Sequence, residues 1–287
     1  MRPAGPGLRP GPTGARLNPG HGDDARTGLA IQAGSPGYPT AWLGSGRAPV
    51  SDLALAQRIL DATSAITAAT AILNMRASDA AGLAAPYRRI AARHRGRFLP
   101  GIGTGHPGSV TACRQPYPAM ADYLDQLDAG GVPADRRILA APGPRALHPA
   151  AEPTPGTHPY LTVPDPTRAA RQMPGPGAVI APEHTVVPDT DPDRARAAGR
   201  TSVPGPYLKL SNYTTNLPRY GCTDTGTDDG GSDRPTDALV LHRSPDVIAA
   251  GLRSHPDAGA DHVAIQVLTG NGNDPAPPCR QLARALL

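Results

Sequence analysis

Four places in this chain hold residues able to grip an anion, meet a flat ring or carry a proton, and each follows a short apolar run. Residues 100–106 read Pro-Gly-Ile-Gly-Thr-Gly-His. Gly101, Gly103 and Gly105 let the backbone approach a phosphate or a ring closely, with Thr104 as a hydroxyl among them. The same residues also build an ordinary tight turn between strand and helix. They are not the dinucleotide fingerprint, because His106 stands where its last glycine belongs. Residues 141–147 read Ala-Pro-Gly-Pro-Arg-Ala-Leu. Free N–H groups at a helix start attract anions, so Gly143, Pro144 and Arg145 form a candidate phosphate turn, with a plain Gly-Pro turn as the alternative. His106, His158 and His184 follow apolar runs, and Glu183 precedes the last of them. An imidazole titrating near neutral pH and a carboxyl group are the usual carriers of protons. His106 and Glu183 are therefore the candidate catalytic pair, although a purely structural role is open for any one histidine. His94, His148, His242 and His255 fall in helical stretches and are expected on the surface. Asn74 ends a run and either hydrogen-bonds a ligand or caps its turn.

Other chemistries lack their residues. Cys113, Cys222 and Cys279 are widely spaced with no Cys-x-x-Cys pair, which argues against a disulfide framework or a cysteine zinc site and for a reducing compartment. No His-Glu-x-x-His, no nucleophile elbow and no phosphate-binding Gly-Lys-Ser/Thr loop is present. The acidic stretch 224–233 lacks calcium-loop spacing. The sequon Asn212-Tyr213-Thr214 has no secretory context. Net charge is +4, almost all the cations are arginines, and none cluster, so no nucleic-acid partner is expected. No run of about 18 apolar residues suggests a membrane span. Residues 1–22 lack the apolar core of a secretory signal, and a cytoplasmic location is the expectation.

The elements that must position these residues form a strand–helix rhythm. Strands are expected at 38–44, 65–73, 98–103, 137–141, 159–163, 178–187 and 262–268. Helices are expected at 52–62, N-capped by Ser51, and near 79–94, 119–128, 167–173 and 237–253. Residues 1–26 alternate proline with glycine and read as disordered or degenerate, with no recognisable strand. Seven strands and one lost at the start favour a (β/α)8 barrel, which suits 287 residues. The barrel would form one domain over 27–287, with an insertion at about 189–231 before the last strand. Its core must rest on Leu, Ile, Val and Ala, since aromatics make up 3% of the chain, with one Trp and one Phe. Thirty-six prolines run against this pattern, far above the usual share of about 5%. Each helix-interior proline costs about 3 kcal/mol. Leu and Pro codons differ by one base, so positions such as Pro149 and Pro256 read as former leucines.

Six stretches, taken in order, resemble the bacterial luciferase-like family and its deazaflavin (coenzyme F-420)-dependent branch. They are 65–74 (AITAATAILN), 97–103 (RFLPGIG), 143–147 (GPRAL), 156–161 (GTHPYL), 212–217 (NYTTNL) and 257–263 (DAGADHV). The resemblance implies a TIM-type barrel with a flavin-type ring across its mouth. Coenzyme F-420 is the implied cofactor, with FMN as the alternative. The implied reaction is hydride transfer between a reduced deazaflavin and a small organic substrate. An FMN-dependent monooxygenase, or a barrel without catalysis, is the competing reading. By the same resemblance, Asn74 and residues 71–73 lie beneath the ring, where the family often carries a bulge or a non-proline cis peptide. Gly143, Pro144 and Arg145 take the phosphate-gripping turn, and Gly103, Thr104, His106, His158 and Glu183 line the mouth. A homodimer is the expected assembly.

Overall fold

Strand residues divide by parity, and the division sets inside from outside. Ala15, Leu17, Ala41, Leu43, Ala68, Val263 and Ile265 belong to one large buried cluster, packed with the helices. Their alternates Trp42, Ala69, Ala264 and also Ala71, Leu99, Ile138 and Ala181 form a separate cluster. The structure, a computed structural model, describes residues 11–18, 21–34, 37–44, 53–104, 116–140, 156–172, 179–202, 233–270 and 274–286. Its strands are β1 (Thr13–Leu17), β2 (Thr40–Leu43), β3 (Thr67–Thr70), β4 (Leu73–Asn74), β5 (Phe98–Leu99), β6 (Gly101–Gly103), β7 (Ile138–Leu139), β8 (Gly156–Thr157), β9 (Val179–Ile180), β10 (Glu183–Val187), β11 (Val240–His242) and β12 (Val263–Val267). Its helices are α1 (Asp23–Gly34), α2 (Ala54–Ala62), α3 (Ala80–Arg93), α4 (Pro116–Ala129), α5 (Pro164–Arg171), α6 (Pro192–Ser202), α7 (Asp233–Leu239), α8 (Pro245–Asp257) and α9 (Ala276–Leu286).

Among the described residues every strand pairing is parallel. One sheet runs β11-β10-β12-β1-β2-β3-β5 and the other β4-β6-β7-β8-β9. The chain passes directly from β3 to β4, β5 to β6 and β9 to β10, which joins the sheets into the expected (β/α)8 barrel of eight staves, with β11 as an added edge strand paired to β10 alone. The breaks have local causes. Pro100, between β5 and β6, has no N–H to give the ladder. Beside it Thr70 Oγ1 accepts from the Gly101 N–H at 2.8 Å and donates to the Gly101 carbonyl at 3.0 Å. A Cβ on Gly101 would lie 2.0 Å from the Thr70 carbonyl oxygen, so only glycine fits there. The peptide bond between Ala71 and Ile72 is cis, within the segment 71–73.

Several expectations are corrected. A first strand exists: β1 lies inside the segment read as disordered and pairs with both β2 and β12. Strand six is β8 at Gly156–Thr157, and residues 159–163 follow it outside any strand. The stretch 237–253 is not one helix, because β11 divides α7 from α8 and pairs with β10. The segment 189–231 thus precedes β11 as well as β12, and α6 occupies part of it. Helix α2 begins after Leu53, which makes no side-chain cap, while Ser51 lies outside the described residues. Among the described residues no helix is long and apolar enough to cross a membrane.

Candidate active site at the barrel mouth

Exposure changes within one residue at the carboxyl ends of the staves. Leu17, Leu73, Gly103, Leu139, Val187 and Val267 are buried, whereas Asn18, Asn74, Thr104, Ala140, Pro188 and Leu268 are half-exposed. That step marks the mouth end of the barrel, the end where parallel barrels carry their chemistry. Asn18, Asn74 and Thr104 bring amide and hydroxyl groups to the rim, and Ala140, Pro188 and Leu268 are apolar. Asn74 turns its Oδ1 to the Arg76 N–H at 3.0 Å, and its carbonyl accepts from Ala77 at 2.9 Å. Its side chain therefore caps the turn. Gly103 keeps the rim low beside Ile72, whose Cδ1 would stand 2.6 Å from a Cβ at that position.

Beneath the rim lies a charged cluster from three staves. Arg16 of β1 places Nε 2.7 Å from Glu183 Oε2 of β10. Its Nη1 also donates to Gln266 Oε1 of β12. Register explains the meeting, since Gly14 and Glu183 both align with Ala264, and Arg16 and Gln266 each stand two residues further on. Burial pushes the Glu183 carboxyl above its ordinary pKa, and Arg16 pulls it partly back.

Below this cluster the interior is aromatic. Trp42 is fully buried and stacks on His158, with ring centres 4.1 Å apart and planes at 6°. Its Nε1–H donates to His262 Nε2 at 2.7 Å, and His262 Nδ1–H donates to the Gly11 carbonyl at 2.6 Å. His158 Nδ1–H donates to the Ala181 carbonyl at 2.7 Å, and its buried Nε2 has no hydrogen-bond partner. These bonds suit neutral rings. Desolvation pushes His158 down to about 3 and His262 down to about 4.

The structure brings Glu183, Asn74, Gly103 and Thr104 to the mouth or just under it. His158 lies deeper, in the packed interior against Trp42. His184 faces the other way: its Nδ1 meets His255 Nε2 of α8 at 2.9 Å, and His255 Nδ1 stands 3.4 Å from Thr167 Oγ1 of α5. His255, expected on the surface, is fully buried. His106, Gly143, Pro144 and Arg145 lie outside the described residues. Sequence reasoning missed Arg16, Gln266, Trp42 and His262. The available signals were a lone arginine in an apolar-Gly context, the only tryptophan, and a glutamine inside the run Val263–Val267. Among the described residues no cluster of His, Cys, Asp and Glu could hold a metal ion.

No protein-family model and no curated protein matches this sequence. Solved structures do match the fold. An F-420-dependent secondary alcohol dehydrogenase, in complex with an F-420–acetone adduct, superposes with a TM-score of 0.74 at 12% identity, over 96% of this chain and 99% of that one. The coenzyme F-420-dependent tetrahydromethanopterin reductase of Methanopyrus kandleri gives 0.75 at 15%, over 96% and 98%. The oxygenating constituent of the 3,6-diketocamphane monooxygenase of Pseudomonas putida, in complex with FMN, gives 0.67 at 16%, over 95% and 96%. This chain therefore has the barrel fold shared by F-420-dependent oxidoreductases and luciferase-like monooxygenases.

Proposed function

We propose that this chain is an oxidoreductase of the luciferase-like type, passing a hydride between a reduced deazaflavin, coenzyme F-420, and a small organic substrate. The observation that carries this reading is the half-exposed rim set directly over the buried Arg16–Glu183–Gln266 cluster. An amide-edged flat ring fits such a rim, where Asn74 and Thr104 offer polar contacts and Ile72 an apolar surface. The cofactor, when bound, supplies the hydride chemistry. The chain's own residues orient and protonate. Ile72 and Asn74 would support the ring, Gly103 and Thr104 would border it, and Gly143, Pro144 and Arg145 would hold its phosphate. Glu183, paired with Arg16, is one candidate to pass a proton to the substrate, with His106 as the other. Arg16 fixes the Glu183 carboxyl at the floor of the mouth.

Titration of the purified protein with coenzyme F-420 and with FMN, followed by absorbance and fluorescence, tests the reading. Micromolar binding of F-420 is expected. Binding of FMN alone would instead favour the monooxygenase reading, which the FMN-bound structural neighbour also supports. Binding of neither at high micromolar concentration would leave a barrel without catalysis. The active unit is a homodimer in this proposal, and sedimentation equilibrium reads that directly.

A further inference from the structure

Two arginines stand near one corner of the mouth, at the carboxyl ends of β1 and β2: Arg16 precedes Leu17, whose carbonyl accepts from the Gly44 N–H, and Arg26 reaches the Gly44 carbonyl. Arg16 has a side chain 15% exposed against 6% for Glu183, so the cation is the more accessible member of the pair. Arg26, in the first turns of α1, donates to the Gly44 carbonyl at 2.5 Å and stands 3.4 Å from Asp23. Its side chain is 10% exposed, and its Nε is buried without a partner. Burial and the neighbouring Arg16 both push Arg26 below its ordinary pKa, although Asp23 opposes them. Asp23 itself is 54% exposed and screened by solvent. The buried charges of this corner, Arg16 and Arg26 against Glu183, therefore leave one positive charge in excess even while Glu183 is ionised. Once Glu183 is protonated, the excess doubles. A planar guanidinium fork matches a carboxylate in shape and charge.

We propose that the Arg16–Arg26 corner binds a carboxylate group of the small substrate. This rests on the reading of the mouth as the place where substrate is bound. A ligand carboxylate competes with Glu183 for Arg16, so binding drives a proton onto Glu183. Affinity then rises as pH falls, by up to about tenfold per unit while Glu183 is ionised in the free protein. The groups around Glu183 are Arg16 on β1, Gln266 on β12, Arg26 and Asp23 on α1, and His158 and His262 in the interior. The two histidines stay neutral above about pH 5, since burial pushes them to about 3 and about 4.

Calorimetric titration of the full chain with propionate and with its neutral analogue propionamide tests the proposal. Between pH 6 and 8, propionate is expected to bind at least tenfold tighter, with proton uptake shown by heats that vary with the buffer's ionisation enthalpy. Arg16→Gln is expected to abolish the preference, and Arg16→Lys to retain part of it. Equal affinities for the two probes, or an unchanged preference in Arg16→Gln, would overturn the proposal. The wild-type comparison decides even where a variant does not fold. Repeating the titration with saturating coenzyme F-420 separates substrate from cofactor. Simultaneous binding supports a substrate subsite, whereas displacement of propionate would assign the corner to the cofactor's own acid groups and overturn the substrate assignment. Failure of F-420 to bind would count against the proposed function and leave the propionate comparison standing.

Discussion

Gly14 makes room for the largest ring in the barrel. A Cβ there would lie 2.8 Å from His262 Nε2, Trp42 Cδ1 and the Thr40 carbonyl oxygen. The carbonyl is backbone and has no way to yield. Gly14→Ala is expected to cost about 1–3 kcal/mol, the usual toll of overpacking, measurable by urea unfolding with Trp42 fluorescence as the probe. Glu183→Leu is expected to cost more, about 3–5 kcal/mol, because it leaves Arg16 partly buried without its counter-charge. Glu183→Gln keeps a hydrogen-bonding partner and separates charge from shape. It is expected to cost less stability than Glu183→Leu while lowering kcat of an F-420-dependent turnover, so matched melts and kinetics on the two variants check both statements. Residue types were unevenly legible. Glu183 stands at the head of an apolar run and shows itself. Its partner Arg16 sits in Thr-Gly-Ala-Arg-Leu among prolines and glycines, where hydrophobic period carries almost no signal. Nothing local in either segment announces that the two will meet.

At the scale of elements, α3 tests how the fold carries its prolines. Asp79 caps it, its Oδ1 accepting from the Gly82 N–H at 2.5 Å. Pro86 lies inside the helix and is buried, and the Gly82 carbonyl loses the donor four residues on. Pro86→Ala restores that N–H at about 3 kcal/mol and gives up about 1–2 kcal/mol of buried ring, so a net gain of about 1–2 kcal/mol is expected. A higher urea midpoint at unchanged slope would show it. The span of α3 was readable near 79–94 although Gly82 and Pro86 weaken its helical pattern, and the Asp79 cap is what the structure adds. Strand β11 was not, since the apolar run Ala238–Leu241 suits a helix as well as a buried strand, and only its pairing with β10 decides. The mouth was legible in position, as residues after apolar runs, because parallel strands send their carboxyl ends one way. Which of those side chains turn inward was not, as His184 shows by pointing at His255.

The whole molecule is built to be acid-sensitive. His158 and His184 are pushed to about 3, and His255 and His262 to about 4, each chiefly by desolvation. All four are neutral in the fold, whereas in the unfolded chain each takes a proton below about 6.5. Protons therefore bind the unfolded state preferentially, and stability is full above about pH 6.5 and falls as pH drops toward 4. Four such groups together reach about 5 kcal/mol per pH unit at the steepest, against a total stability of about 5–15 kcal/mol for an ordinary domain. Glu183 works in the opposite sense, since its raised pKa lets the fold take up one proton early, and it offsets one histidine at most. Melting temperatures measured from pH 8 to 4.5 are expected to hold above 6.5 and drop steeply below 6, with far-UV circular dichroism lost in the same window. A flat profile to pH 4.5 would contradict the neutral buried rings.

The ring closes between β1 and β12, and Arg16 finds one partner 250 residues downstream in Gln266. During synthesis β1 emerges long before β12, the strand that covers its free edge. Until then the nascent chain carries an open parallel edge and a guanidinium awaiting burial, both invitations to wrong pairing. A ribosome that stops before residue 263 would release a product unable to seal itself. The charged cluster under the mouth is thus complete only once β12 has joined β1.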